Sequence, residues 1–358
     1  MTTPPPGAAS LPHQADLDAD WLWCKDALGR VSRTFSQPIA MLQPDLERAV
    51  TCGYLLCRLA DTIEDDAALP LMVRDRLYAA LLDVLEDRLA AADFAALAAP
   101  LLDGPVTATP SELELFSNLP AIMNVLGALP TLRPGVLPWV AEMVRGMAIY
   151  SHRKPGTGDR PFTTLLTERD LDRYCYFVAG TVGHMLTDLF TAALPRLTWE
   201  RERILRENAE SFALGLQLTN ILKDVTDDFE RRVCFIPLTL LSRHGIAVGS
   251  LLDPEKRAAA HKAVAPIFER AREALAAALT YALALPPEAR ELRLFCLTPL
   301  LMAARTLAVT QGNDGAFEPT KKVKISREEV YAIIGACMRD ASDDAAMRGH
   351  YERLAAPF

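Results

Sequence analysis

From about residue 17 onward, nearly every stretch of this chain repeats its apolar residues at three- and four-residue steps. That spacing commits a chain to helices: about 3.6 residues per turn bring such positions onto one face, whereas a half-buried strand alternates by two. Between Pro44 and Asp65 the repeat runs through Leu46, Val50, Leu55, Leu56 and Leu59, with Pro44 in the first turn, where its missing N–H has no helical partner to lose. Similar patterns recur at 70–92, 110–129, 136–152, 168–193, 198–229, 254–284, 290–310 and 326–353, and strand-like alternation is nearly absent. The breaks carry turn chemistry, at Pro130 and Pro134, at Lys154-Pro155-Gly156-Thr157-Gly158-Asp159 and at Leu285-Pro286-Pro287. No break is long or polar enough for a domain linker. Residues 16–358 are therefore expected to form a single all-α domain, a helical bundle. Residues 1–15, with Pro4, Pro5 and Pro6, are expected to form a flexible tail, since they cannot bury apolar area.

Half of the residues are apolar and several helices are apolar on more than one face, as expected of central bundle members buried all round. The 38 Lys and Arg against 46 Asp and Glu leave a net charge of -8, which disfavours nucleic acid as a partner. Seven cysteines with no CxxC pair read as reduced thiols of a cytoplasmic protein. No run of 18 apolar residues and no basic-then-apolar leader occurs, so no membrane span and no export signal are expected.

Two acidic clusters interrupt the apolar helices. In the first, Asp61, Glu64 and Asp65 stand at i, i+3 and i+4, with Arg58 and Tyr54 on the same face one and two turns back. In the second, Asp224, Asp227 and Asp228 repeat the spacing, preceded by Asn220 and Gln217. Like charges so placed weaken a helix unless something neutralises them. One such cluster is commonly a solvated face; two with identical spacing, each following polar residues in an apolar helix, point to bound cations. Mg²⁺ takes one or two carboxylates together with waters and phosphate oxygens, so two such faces opposed across a cavity would hold a diphosphate. A di-iron site would need Glu-x-x-His pairs, and none of the six histidines lies in one.

Two further segments stand out. Tyr174 to Gly183 places Tyr174 and Phe177 beside the small residues Ala179, Gly180 and Gly183, a pattern that serves helix packing or close approach of a ligand. Thr320 to Arg327 is the densest basic stretch of an acidic chain, either a solvated loop or a phosphate-binding flap.

These residues resemble the squalene/phytoene synthase family. The likeness is carried by Ser32-Arg33-Thr34-Phe35-Ser36, by Tyr54 to Asp65, by Gly146-Met147-Ala148, by Tyr174 to Gly183 and by Gln217 to Asp228, in the family's order over residues 20–335. Phe295-Cys296-Leu297-Thr298-Pro299, with Met302-Ala303, Thr306-Leu307-Ala308 and Val323-Lys324-Ile325, is more similar to the squalene-forming branch than to the carotenoid-forming one. Three departures accompany it: Leu300 replaces a usual Gln, the 317–323 flap is longer, and Phe229 to Pro237 is offset by a residue, leaving Arg231 or Arg232 for the diphosphate contact. The chain also ends without the anchor of eukaryotic members, as expected of a soluble bacterial-type enzyme.

The resemblance implies the isoprenoid synthase bundle with a central apolar channel, and a prenyltransferase that joins two farnesyl diphosphates head to head. Mg²⁺ would be held by Asp61, Glu64 and Asp65 and by Asn220, Asp224 and Asp228, with Ser32, Arg33, Arg58, Gln217 and Arg232 completing the anion shell. Tyr174 would relay or orient the proton lost as presqualene diphosphate forms. Phe35, Tyr54 and Phe295 would wall the carbocation from water. NADPH would then deliver hydride to yield squalene, its phosphates met by Lys322, Lys324 or Arg327 with Asn220 nearby. A peripheral membrane contact for product release is compatible with this scheme. The alternatives are a dehydrosqualene- or phytoene-type synthase without hydride transfer, a class I terpene cyclase, and an all-helical scaffold.

Overall fold

Prolines and capping side chains set where most of the helices begin. Pro44 opens its helix at N1, Thr109 and Pro110 open another through a capping box with Glu112, and Thr167 and Ser326 do the same with Asp170 and Glu329. The computed structural model describes residues 14–32, 35–152 and 162–356. Arg33, most of the expected tail and the 154–159 turn lie outside the described residues. The described residues gather into two compact units that divide between Pro138 and Trp139.

In the first unit α1 (Gln14–Val31) and the short α2 (Ser36–Ala40) lead into α3 (Pro44–Asp65). They are followed by α4 (Leu71–Leu85), α5 (Ala91–Leu101), α6 (Pro110–Ser117) and α7 (Leu119–Gly127). The centre is α3, whose Leu55, Leu56, Leu59 and Ile63 are fully buried and which packs against α1, α4, α6 and α7. Where one helix was expected over 110–129, the chain turns at Asn118, just before Pro120, and makes two.

The second unit contains α8 (Leu137–Ser151), α9 (Glu168–Cys175), a π-helical turn over Tyr176–Gly180, and α10 (Thr181–Ala193). Next come α11 (Trp199–Lys223), α12 (Val225–Glu230) and α13 (Leu238–Arg243), then α14 (Arg257–Ala284), α15 (Arg290–Thr310), α16 (Arg327–Asp340) and α17 (Asp344–Ala355). Among the described residues strand is confined to one parallel pairing, β1 (Thr163–Thr164) beside β2 (Val233–Cys234), so the protein is all-α as expected. The close packing of α10 on α11 depends on Gly183, where an added Cβ would lie 2.1 Å from the Ala209 carbonyl oxygen.

By length and composition α15 is apolar enough to cross a membrane, yet 72% of its most apolar window is buried inside the protein. Its Arg293 is fully buried. That guanidinium donates to the carbonyls of Leu285 (2.9 Å), Leu283 (3.1 Å) and Ala341 (3.0 Å) and pairs with Asp344 at 2.6 Å. It therefore ties the end of α14 and the start of α17 to α15. Leu300, the departure from the family's Gln, is a fully buried core residue of the same helix.

Candidate active site

The first acidic cluster closes the C-terminal end of α3. Asp61 is partly buried, Glu64 is buried and Asp65 is exposed. Burial, and then the neighbouring charges of Asp65 and Glu64, push the Asp61 carboxyl up to about 8 against the opposing pull of Arg58. Arg58 itself is shared, because its Nη2 donates to Glu112 of the α6 capping box. The Arg58 Nε–H is buried without a hydrogen-bond partner among the described residues, a donor available to an anion.

Two turns back from Asp61, Tyr54 lies beside buried Ser32, whose Oγ accepts from the Phe35 N–H at 3.2 Å. The Phe35 and Tyr54 rings lie 6.0 Å apart. Burial raises the Tyr54 phenol, with Ser32 and Arg58 opposing. Ser32, Phe35, Tyr54, Arg58 and Asp61 thus form one continuous strip. The fourth carboxylate of this run, Asp66, has another task. It accepts from the backbone N–H groups of Thr107 (2.7 Å), Ala108 (3.0 Å) and Ala68 (2.9 Å), which hold its carboxyl below the usual range despite burial. It pins the loop ahead of α6 to the end of α3, and buried Arg74 completes the pin by donating to the Asp66 carbonyl.

The second cluster differs from the single helical face expected over 198–229. The helix bends at Asp224 (φ -102°, ψ 18°), although Asp224 N still donates to the Asn220 carbonyl and Asp228 N to the Asp224 carbonyl, both at 2.9 Å. Its charges are also neutralised. Lys223 Nζ lies 2.5 Å from both Asp224 oxygens, Arg231 Nη2 lies 2.5 Å from Asp228, and Lys322 Nζ lies 2.9 Å from both oxygens of Asp227. Asn220 is exposed one turn back and Gln217 half-buried two turns back. Of the two arginines left open by the sequence, Arg231 sits at the carboxylates. Arg232 instead takes a left-handed backbone (φ 61°), stacks its guanidinium 5.5 Å over Phe162, and gives its carbonyl to Thr163 N at 2.8 Å.

Tyr174 is buried in an aromatic group, stacked 4.8 Å from Phe235 and edge-on to Tyr150 at 5.4 Å. The Tyr150 hydroxyl donates to the Asp170 carbonyl at 3.0 Å and so fixes this edge. Phe177 lies against Gly146, where a Cβ would sit 2.0 Å from the ring's Cγ. The small residues of this segment therefore serve helix and ring packing, and the π turn that follows Tyr174 is a feature frequent at functional sites. Phe295 packs edge-to-face on Phe190 at 5.8 Å in the core. Lys324 and Arg327 are exposed, with Lys324 in the field of Asp227.

Among the described residues no three His, Cys, Asp or Glu groups converge closely enough to hold a metal ion by themselves. The profile of the squalene/phytoene synthases matches residues 28–329. The chain belongs to that family. Its curated relatives include the squalene synthase of Eremothecium gossypii, 29% identical over 84% of this chain and 64% of the relative. The human squalene synthase is 27% identical over 87% and 68%. The chain thus spans about two thirds of the length of these family members. A solved complex of TcSQS with the ligand BPH1237 superposes with a TM-score of 0.78 at 25% identity, covering 94% of this chain and 92% of that one. A dehydrosqualene synthase shares the isoprenoid synthase fold at a TM-score of 0.62 and 18% identity.

Sequence reasoning missed Glu112, Asp66, Lys223 and the Lys322–Asp227 pair. Glu112 had a visible signal in the Thr109-Pro110-Ser111-Glu112 capping box, but nothing local to it foretells an arginine 54 residues away.

Proposed function

We propose that the protein is a squalene-forming prenyltransferase that condenses two farnesyl diphosphates head to head and reduces presqualene diphosphate to squalene. The observation that carries this reading is the strip Ser32, Tyr54, Arg58 and Asp61, ending in carboxylates, where burial and then the charges of Asp65 and Glu64 raise Asp61 to about 8. Such a site favours a partner of double positive charge that itself binds diphosphate. Mg²⁺, held by Asp61, Glu64 and Asp65 and by Asn220, Asp224 and Asp228, would supply neutralisation of the departing diphosphate. NADPH would supply the hydride of the final step.

The chain's own residues do the rest. The Arg58 guanidinium, braced by Glu112, orients a diphosphate oxygen at the end of α3. Arg231, Lys223 and Lys322, each paired with a carboxylate of the second cluster, stand where they can turn to phosphate oxygens. Phe35 and Tyr54 keep one wall free of water, so that an allylic cation meets a double bond before a nucleophile. The Tyr174 hydroxyl, set by stacking on Phe235, orients the proton lost as the cyclopropane closes. A phenol is a poor base near neutrality, so the released diphosphate is the better acceptor. Labelled farnesyl diphosphate incubated with Mg²⁺, with and without NADPH, tests the reading by mass spectrometry of the products. Squalene only with NADPH is expected; dehydrosqualene or a cyclised sesquiterpene, unaffected by NADPH, would overturn it.

A further inference from the structure

The basic flap is anchored at both ends. At its start Phe317 is buried, edge-on to His261 of α14 at 5.1 Å, while Asp314 receives His261 at 2.8 Å and its carbonyl accepts from Arg257 at 2.9 Å. At its end Ser326 caps α16, and Glu329 accepts from Arg305 of α15 at 2.7 Å. Between these anchors residues 321–326 have no regular structure, and Lys321, Lys322 and Lys324 are exposed. Lys321 folds back on Glu318 at 2.9 Å. Lys322 instead reaches 95 residues back along the chain to grip both oxygens of Asp227. Asp227 lies outside the expected cation-binding set of Asp224 and Asp228, and Lys322 also feels the charges of Glu230 and Asp224.

We infer that Asp227 is a positioning residue: through Lys322 it holds the basic flap against the second acidic cluster, placing Lys322 and Lys324 to meet the phosphate groups of an incoming ligand. This rests on the reading of the preceding subsection for the ligand, though not for the tether. Lys322 is 54% exposed and Asp227 41% exposed, so their pair is weak, worth about a two- to fivefold shift in an opening equilibrium. A tether that must yield its lysine to a phosphate has to be weak. A pair that merely stabilised the fold would gain by being buried and bidentate through Arg.

Hydrogen exchange on the full, metal-free chain tests the tether without any turnover. Asp227→Asn and Lys322→Gln should each speed exchange at the Glu318 and Lys321 amides, which donate to the Gly315 and Glu318 carbonyls, by about two- to fivefold. The double variant should exceed neither, Asp227→Glu should restore protection, and α14 should be unaffected. In turnover, Asp227→Asn should raise KM for NADPH several-fold with a smaller change in kcat. A rise confined to KM for farnesyl diphosphate upholds the positioning role with the prenyl diphosphate as its target. Unchanged exchange in both single variants overturns the tether, and unchanged KM for both substrates overturns the positioning role. If the parent protein takes no NADPH, the functional reading fails while the exchange result still decides the tether.

Discussion

Asp61 holds its proton far more tightly in the folded chain than the value near 4 of an unfolded carboxyl, because burial, Asp65 and Glu64 all oppose its charge. Between about pH 4 and 8 the native state therefore binds more protons than the unfolded one, and this group's contribution to stability declines as pH rises through that window. Asp61→Asn should accordingly stabilise the metal-free protein. Its advantage should grow from pH 4 to 8, level off above, and reach about 2 kcal/mol after allowance for solvent screening. The same substitution should lower condensation activity by at least a hundredfold. Thermal melts across pH, paired with product formation, check both; a destabilised Asn variant would show the carboxylate to be a structural partner. The face of Tyr54, Arg58, Asp61 and Asp65 was legible because it lies within a single helix, where period predicts proximity, whereas Ser32 and Phe35 entered only through the family resemblance. The counter-charges were not: Glu112 and Lys322 reach their partners from 54 and 95 residues away, a distance no local pattern encodes.

At the scale of elements, the helical period located the helices and misjudged their interruptions. Over 198–229 the apolar repeat continues through a bend at Asp224 because backbone hydrogen bonds still bridge it. Over 326–353 the period hides a stop at Ala341, where Asp343 begins α17 by accepting from the N–H groups of Ala345 and Ala346. Such stops depend on a single cap, which weighs little in a window average. Close helix approach makes its own demand. Gly183→Ala would drive a methyl into the Ala209 carbonyl and should cost about 1–3 kcal/mol or more as α10 moves off α11. Gly146→Ala should instead displace Phe177 and the ring group around Tyr174, leaving helix content intact while changing near-ultraviolet circular dichroism. Denaturant melts and the two spectra distinguish these outcomes.

For the molecule as a whole, a net charge of -8 first reads as hostility to phosphates. On the proposed reading, the carboxylates of the two clusters would recruit cations that carry phosphate, and stability should follow. Mg²⁺ with inorganic diphosphate should raise the thermal midpoint in a concentration-dependent way, by the equivalent of about 2.7 kcal/mol at a hundred times Kd, and a chelator should reverse it. No shift with the pair, in calorimetry, would remove the cation reading. Removing the buried hub is a separate test: Arg293→Ala strips the carbonyls of Leu283, Leu285 and Ala341 of a donor and should cost about 3–5 kcal/mol. That hub also bears on how the chain is made. Its partners at Ala341 and Asp344 lie 48 and 51 residues downstream. During synthesis, α15 therefore leaves the ribosome with only the upstream carbonyls of Leu283 and Leu285 available to its guanidinium, and with a long apolar face. The second unit cannot close cotranslationally until residue 344 has emerged, and through that interval the apolar face is a natural client for a chaperone.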